Sequence, residues 1–286
     1  MGLFSSYSKE GKGVSKYTPE KTRFADFIEL VIRKFGKLIE LNLMFLLAAA
    51  LFALVPTLIG LFFMRKSAFF FQFLLVCGMI LAFSGPAMAG MTYILRNIVQ
   101  KRTYFMIADF VDNIKENWKQ SLAVSLLESV LAVIVTLSLS FYWTQSSSNS
   151  IMLIPMVVTG VLAFILILAS FYPYLMIVTL DLKLSAILKN CFIFAIVGMK
   201  TNLLTLLFAG GLSFLVIWFF PVSLLPMIVF GFSLIVFIVC YNSYQYVEKY
   251  CVKPYYDQQK EENGEEEDDE VIFQDTVGLP EDKESK

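Results

Sequence analysis

The sequence predicts an all-α, polytopic membrane protein with six transmembrane helices arranged as three hairpins, each preceded by an interfacial amphipathic helix. Two observations set the class. The chain has 286 residues, 57% hydrophobic and only 16% charged, where an ordinary soluble domain carries about a quarter charged residues. Six apolar runs, Leu41 to Met64, Ala68 to Leu95, Leu122 to Trp143, Ile151 to Leu180, Leu203 to Phe220 and Leu224 to Val247, approach or exceed the roughly 20 residues a helix needs to span a bilayer. A third observation sets the arrangement: Lys37, Lys119 and Lys200, where the chain meets the membrane, recur at steps of 82 and 81 residues, and a recurring step of this kind is the mark of an internal repeat. The boundaries expected are a segment over 1–23, a membrane domain over 24–255 and an acidic tail over 256–286.

In chain order, the first apolar run starts at Leu41, late for a secretory signal peptide, and is expected to remain as an anchor. Ahead of it, Phe24, Phe27, Ile28, Val31, Phe35, Leu38 and Ile39 share one helical face, with Asp26, Glu29, Arg33 and Lys37 placed elsewhere. That pattern describes a helix lying along the membrane surface. A second copy starts at Tyr104, setting Ile107, Phe110, Val111, Ile114 and Trp118 opposite Asp109, Asp112, Asn113 and Glu116; the two copies share Ala-Asp-Phe, at 25–27 and 108–110. The third, Leu184 to Met199, is almost wholly apolar after Asn190 and is expected to sit deeper. The opposing reading is that basic residues at span ends and surface helices are general to membrane proteins, and that the shared tripeptide is chance in a phenylalanine-rich chain.

Lysine and arginine set orientation. Eight precede Leu41, five lie in the link Arg96 to Lys119, three in the link Asp181 to Lys200, and Lys249 and Lys253 follow the last span. The opposite loops, Thr144 to Ser150 and Pro221 to Ser223, carry none, and only Arg65 and Lys66 dissent. The expectation is a cell-membrane protein, in contact with the lipid bilayer, with both termini cytoplasmic. From Asp257 onward 13 acidic residues face Lys260, Lys283 and Lys286, a net charge of −10. Such self-repelling sequence is expected to form a disordered tail, with Val271, Ile272 and Phe273 as its one apolar patch. Met1, Gly2 and Ser6 fit a myristoylation pattern, but a chain with six spans gains nothing from a lipid anchor.

Few residues offer chemistry. Histidine is absent, which removes the commonest general base and metal ligand. Cys77, Cys191, Cys240 and Cys251 have no metal-binding or redox spacing and read as buried thiols. No cofactor, metal or nucleic acid is indicated, and an intramembrane enzyme lacks both a nucleophile with its base and a pair of carboxylates. Glu128 is the one carboxylate deep in a span, about 13 Å beyond Lys119 at about 1.5 Å per residue. A group at that depth is costly unless paired, protonated or hydrated, which makes it a candidate polar site. The alternatives are a structural pair with Arg96 or a protonated carboxyl group bonded to a neighbouring serine or tyrosine. In the second run, Pro86 is expected to kink the helix near Ala82 to Pro86, while Gly85, Ala89 and Gly90 provide a small-residue packing face. Pro173 holds the corresponding place in the fourth run, and paired breaks mark binding sites in some transporters. Tyr241, Asn242, Tyr244, Gln245, Tyr246 and Tyr250 read as an aromatic belt at headgroup level.

The opening Met1-Gly2-Leu3-Phe4, Gly85-Pro86-Ala87 through Gly90-Met91-Thr92-Tyr93 with Arg96-Asn97, Asp109-Phe110 with Asn117-Trp118-Lys119-Gln120, and Phe171-Tyr172-Pro173-Tyr174 resemble the YesL-like family of bacterial membrane proteins. The resemblance runs to about Lys253 and leaves the acidic tail outside. It implies an accessory role beside carbohydrate uptake and glycan degradation, and supplies no active site. Two functions are therefore expected to compete. One is a non-enzymatic accessory protein bound to carbohydrate ABC permease subunits. The other is a small-solute transporter in its own right, using Glu128 and the breaks at Pro86 and Pro173. Against the second, the link Arg96 to Lys119 lacks a Glu-Ala-Ala-type coupling signature, and no phosphate-binding loop is present. Substrate, partner identity and oligomeric state are not legible in the sequence.

Overall fold

The computed structural model describes Thr22 to Tyr255; the segment before it and the acidic tail, with the myristoylation pattern and the Val271 to Phe273 patch, lie outside the described residues. Every regular element within that range is helical. Five helices are long and apolar enough to cross a membrane, six if one bent pair counts as a span, as befits a multi-pass membrane protein.

Helix α1 runs unbroken from Arg23 to Phe63, 41 residues, and so is about 60 Å long at about 1.5 Å per residue. A hydrocarbon core is about 30 Å thick, so half of α1 is surplus to one crossing. The surplus is the amphipathic stretch expected as a separate helix ahead of Leu41. No break separates the two, because the interval holds no proline and its one glycine, Gly36, is tolerated inside a helix. Helix α4, Met106–Ser146, repeats this with 41 residues. Only at the third place is there a discrete element: α7, Leu184–Val197, ends at Gly198, where α8 (Met199–Trp218) takes over.

The second apolar run is two helices, α2 (Phe69–Ala82) and α3 (Gly85–Val99), bent by 53° at Phe83 and Ser84. Pro86 lies in the first turn of α3, where its missing N–H removes no helical bond. The break leaves carbonyls that need donors: Ser84 Oγ donates to Leu81 O at 2.8 Å, and Ser125 Oγ, from α4, donates to Ala82 O at 2.8 Å. In α3 itself 12 of the 15 residues are buried, so this helix is the core. Helices α1, α4, α6 (Pro173–Ile177) and α9 (Leu224–Tyr255) surround it.

The α3–α4 contact is antiparallel and close. A Cβ on Gly85 would collide with the backbone of Ser121, and one on Gly90 would stand 2.9 Å from Phe110 O. These glycines are needed because another helix's backbone occupies the space a side chain would take. The turn joining the two helices carries Lys101 in the left-handed region, φ 56°, with Arg102 N–H bonded to Asn97 O at 2.9 Å. Lys101 Nζ reaches Asp26 on α1 at 3.1 Å.

Outside this core the helices expose apolar side chains: Leu43, Leu47, Leu51 and Leu58 on α1, and Val130, Val133, Ile134 and Leu137 on α4. No residue of α4 beyond Ser125 is buried. The fourth apolar run is interrupted after α5 (Leu153–Ala169) and resumes as α6, with Pro173 in its first turn. Helix α9 continues past the expected end at Val247, to Tyr255.

Replacing Gly85 by valine forces α3 away from α4. It is expected to destabilise the protein by about 1–3 kcal/mol, read as a lower melting temperature of the purified protein, whereas Gly36→Ala, on an exposed face with open space around it, is expected to leave melting unchanged or raise it slightly.

Candidate functional site in the membrane domain

Polar side chains buried among these helices have defined tasks. Asn42 of α1 is fully buried; its amide nitrogen donates to Met227 O at 3.2 Å and Ile228 O at 2.6 Å, and its oxygen accepts from Ser233 N–H at 2.9 Å. Those groups border a π-helical turn, Met227–Gly231, whose altered register leaves backbone groups in need of partners. Asn202 of α8 does the same at the α7–α8 junction, donating to Phe194 O at 3.0 Å and Ala195 O at 3.1 Å while accepting from Tyr172 Oη at 2.6 Å.

Arg96, 8% exposed, lies over the Tyr93 ring, 4.6 Å to the centroid. It donates to Val178 O just past the end of α6, to Thr179 Oγ1 at 3.3 Å and to Asn97 Oδ1 at 3.2 Å. A guanidinium there neutralises the exposed carbonyls at a helix C-terminus. The pairing of Arg96 with Glu128 considered from sequence is therefore not formed: Arg96 is committed to the end of α6. Glu128 belongs to a different neighbourhood, where Tyr174 Oη donates to its Oε2 at 3.0 Å. Its Oε1 is buried with no hydrogen-bond partner among the described residues.

Glu128 forms part of the wall of a cavity of about 460 Å³ between α4, α5 and α7. Val124, Leu131 and Val135 of α4, Ala163 and Leu166 of α5, and Leu188 of α7 contribute apolar lining. Leu127, Ile167 and Phe192 at its edge are exposed, so it opens on the apolar flank of the bundle. The hydroxyl groups on the wall are bonded to their own helices: Thr136 Oγ1 donates to Ala132 O and Ser170 Oγ to Ile167 O, both at 2.8 Å. Cys191 is a buried free thiol. The cavity thus has one carboxyl group, that of Glu128, in a largely apolar wall.

Of the residues singled out from sequence, Glu128 and Pro173 meet at this cavity, while Arg96, Gly85, Pro86, Ala89 and Gly90 belong to the α3 core. Within the tyrosine cluster, Tyr244 departs from the expected belt and its neighbours make bonds inside the bundle. Tyr244 is buried and bonded to Gln100, Tyr241 Oη donates to Arg23 O at 2.9 Å, and Tyr246 and Thr201 hydroxyls stand 3.0 Å apart. These rings tie α9 to α3, α1 and α8, because their hydroxyls find backbone and side-chain partners within the bundle. Sequence reading missed Asn42, Asn202 and the structural role of Tyr174. Asn42 had a visible signal, an amide inside a long apolar run; of the alternatives for Glu128 the bond to a tyrosine is the one formed, but nothing in the sequence singled out Tyr174, 46 residues away.

Residues 38–139 match a family of proteins of unknown function, DUF624. The match takes in most of α1, all of α2 and α3, and most of α4, and so holds the α3–α4 contact and Glu128 but neither Tyr174 nor the α5 and α7 walls of the cavity. No curated protein and no solved structure matches the chain.

Tyr174→Phe removes the donor to Glu128 Oε2 and is expected to lower stability by about 1–3 kcal/mol, the usual cost of stranding a buried polar group. A double-mutant cycle with Glu128→Leu measures the coupling. A Tyr174→Phe loss that persists undiminished in the Glu128→Leu background would show that the two side chains do not interact.

Proposed function

We propose that this chain is a non-enzymatic accessory protein of the cell membrane, associated with carbohydrate ABC permease subunits. Its six spans form three hairpins and both termini are cytoplasmic. The observation that carries this reading is the use made of the buried polar side chains. Asn42, Arg96 and Asn202 are spent on joining one helix to another at irregular backbone, so the interior reads as a scaffold. Arg33, Lys37, Asp112 and Glu116 lie exposed on the extended starts of α1 and α4 and offer charged faces to a partner at the basic end of the bundle. The distribution of lysine and arginine supports a cytoplasmic position for that end. The carbohydrate connection rests on the resemblance to the YesL-like family; the family match over residues 38–139 is compatible with it at the coarser level of a family without assigned function.

The test is recovery of the tagged protein from native membranes, in mild detergent with crosslinking. A sugar permease subunit is expected in stoichiometric amount, and recovery of the chain alone or with copies of itself contradicts the accessory reading.

One observation favours a second reading, transport of a small solute by the chain itself: Glu128 lines a cavity deep in an apolar helix. Solute flux into proteoliposomes that disappears in Glu128→Gln supports transport through this site, and equal flux in both proteins removes Glu128 from any such mechanism.

A further inference from the structure

The cavity at Glu128 has a shape and a chemistry that select a class of ligand. Its α4 wall runs from Val124 to Thr136, which is about 18 Å at about 1.5 Å per residue. Glu128 stands nearer one end of that wall. Beyond it, Leu131, Ala132 and Val135 on α4 and Ala163 and Leu166 on α5 offer a long apolar surface. The volume, about 460 Å³, falls in the range of roughly 300–1,000 Å³ that holds small molecules. The opening faces the same flank as the exposed apolar residues Leu127, Ile167 and Phe192, so a ligand reaches it from the apolar phase.

The polar chemistry is narrow. Among the described residues neither lysine nor arginine lines the cavity, and Arg96 is bound to the end of α6. The hydroxyls of Thr136 and Ser170 donate to their own helices. Tyr174 supplies one hydrogen bond to Glu128 Oε2, and the buried Oε1 has no partner among the described residues. A carboxyl group in apolar surroundings is strongly favoured to take a donor carrying positive charge, because both the hydrogen bond and the Coulomb attraction gain strength where water is scarce.

We propose that this cavity binds a hydrophobic amine, its alkyl body lying along α4 and its ammonium group donating to the Glu128 carboxylate. Glu128, held by Tyr174, forms the headgroup end, and Ala163 keeps the channel for the alkyl chain open. The proposal does not rest on either reading of the overall function: an accessory protein and a transporter both accommodate a bound amphiphile, and binding is measured here without flux or partner.

The full chain is reconstituted in phosphatidylcholine nanodiscs and titrated with radiolabelled dodecylamine, with empty nanodiscs giving the background from partition into lipid. Saturable binding near one per chain is expected. It should weaken about tenfold or more in Glu128→Gln, the scale of one charge-assisted hydrogen bond. Ala163→Phe keeps the carboxyl group and fills the channel, and should abolish binding; it decides the matter if Glu128→Gln does not fold. Dodecanol in equal amount should not compete. Binding unchanged in both variants, or no binding above the empty-disc background, overturns the proposal. Competition by dodecanol at the same concentration overturns the assignment to an amine and leaves a site for any apolar donor.

Discussion

Gly85 and Gly90 let α3 lie against α4 with the backbones nearly touching, at Ser121 and at Phe110 O, 2.9 Å from where a Cβ on Gly90 would stand, and α1, α6 and α9 pack on the same helix α3. Because α3 is buried on almost every side, the helices packed on it are located relative to one another through it. The contact also brings Ser125 within reach of the open carbonyl of Ala82, so the break that separates α2 from α3 is satisfied from across the seam. In apolar surroundings water is not present to do this, and a bend of 53° without such a donor would leave unsatisfied carbonyls costing several kcal/mol.

The same constraint explains where polar side chains occur elsewhere. Irregular backbone at Met227–Gly231, at the α7–α8 junction and at the end of α6 is served by Asn42, Asn202 and Arg96 respectively. Each comes from a different helix or from the far side of a break, so satisfying the backbone and fixing tertiary structure are one act. Glu128 stands apart from this group. Tyr174 holds one of its oxygens, the other is buried without a hydrogen-bond partner among the described residues, and the residue lines a cavity. That contrast, more than depth in the span alone, singles Glu128 out as a residue that structure does not fully explain.

Much of this arrangement was legible in the sequence. Apolar run length gave the number of candidate spans, and Pro86 with its neighbouring small residues pointed to the segment where α2 gives way to α3. The long starts of α1 and α4 were read as separate helices, since a change from amphipathic to uniformly apolar character looks like a boundary although nothing in the backbone breaks there. The tyrosines of α9 were placed at an interface because aromatic clusters near span ends usually lie there; Tyr244 is instead buried against α3, a pairing set by residues 144 positions apart. Helical periodicity describes each face of a helix but not what meets it. For that reason Glu128 was visible as a residue, while its cavity, built by α5 and α7, was not.

The most direct test of this account is the α3–α4 distance in a lipid bilayer. In protein labelled with 13C at glycine Cα and phenylalanine carbonyl carbons, solid-state NMR of the reconstituted chain should show a through-space cross-peak between Gly90 and Phe110 that vanishes in Phe110→Leu. Its absence in the well-folded wild-type protein would mean that the two backbones are not in contact and that α3 does not organise the bundle as described.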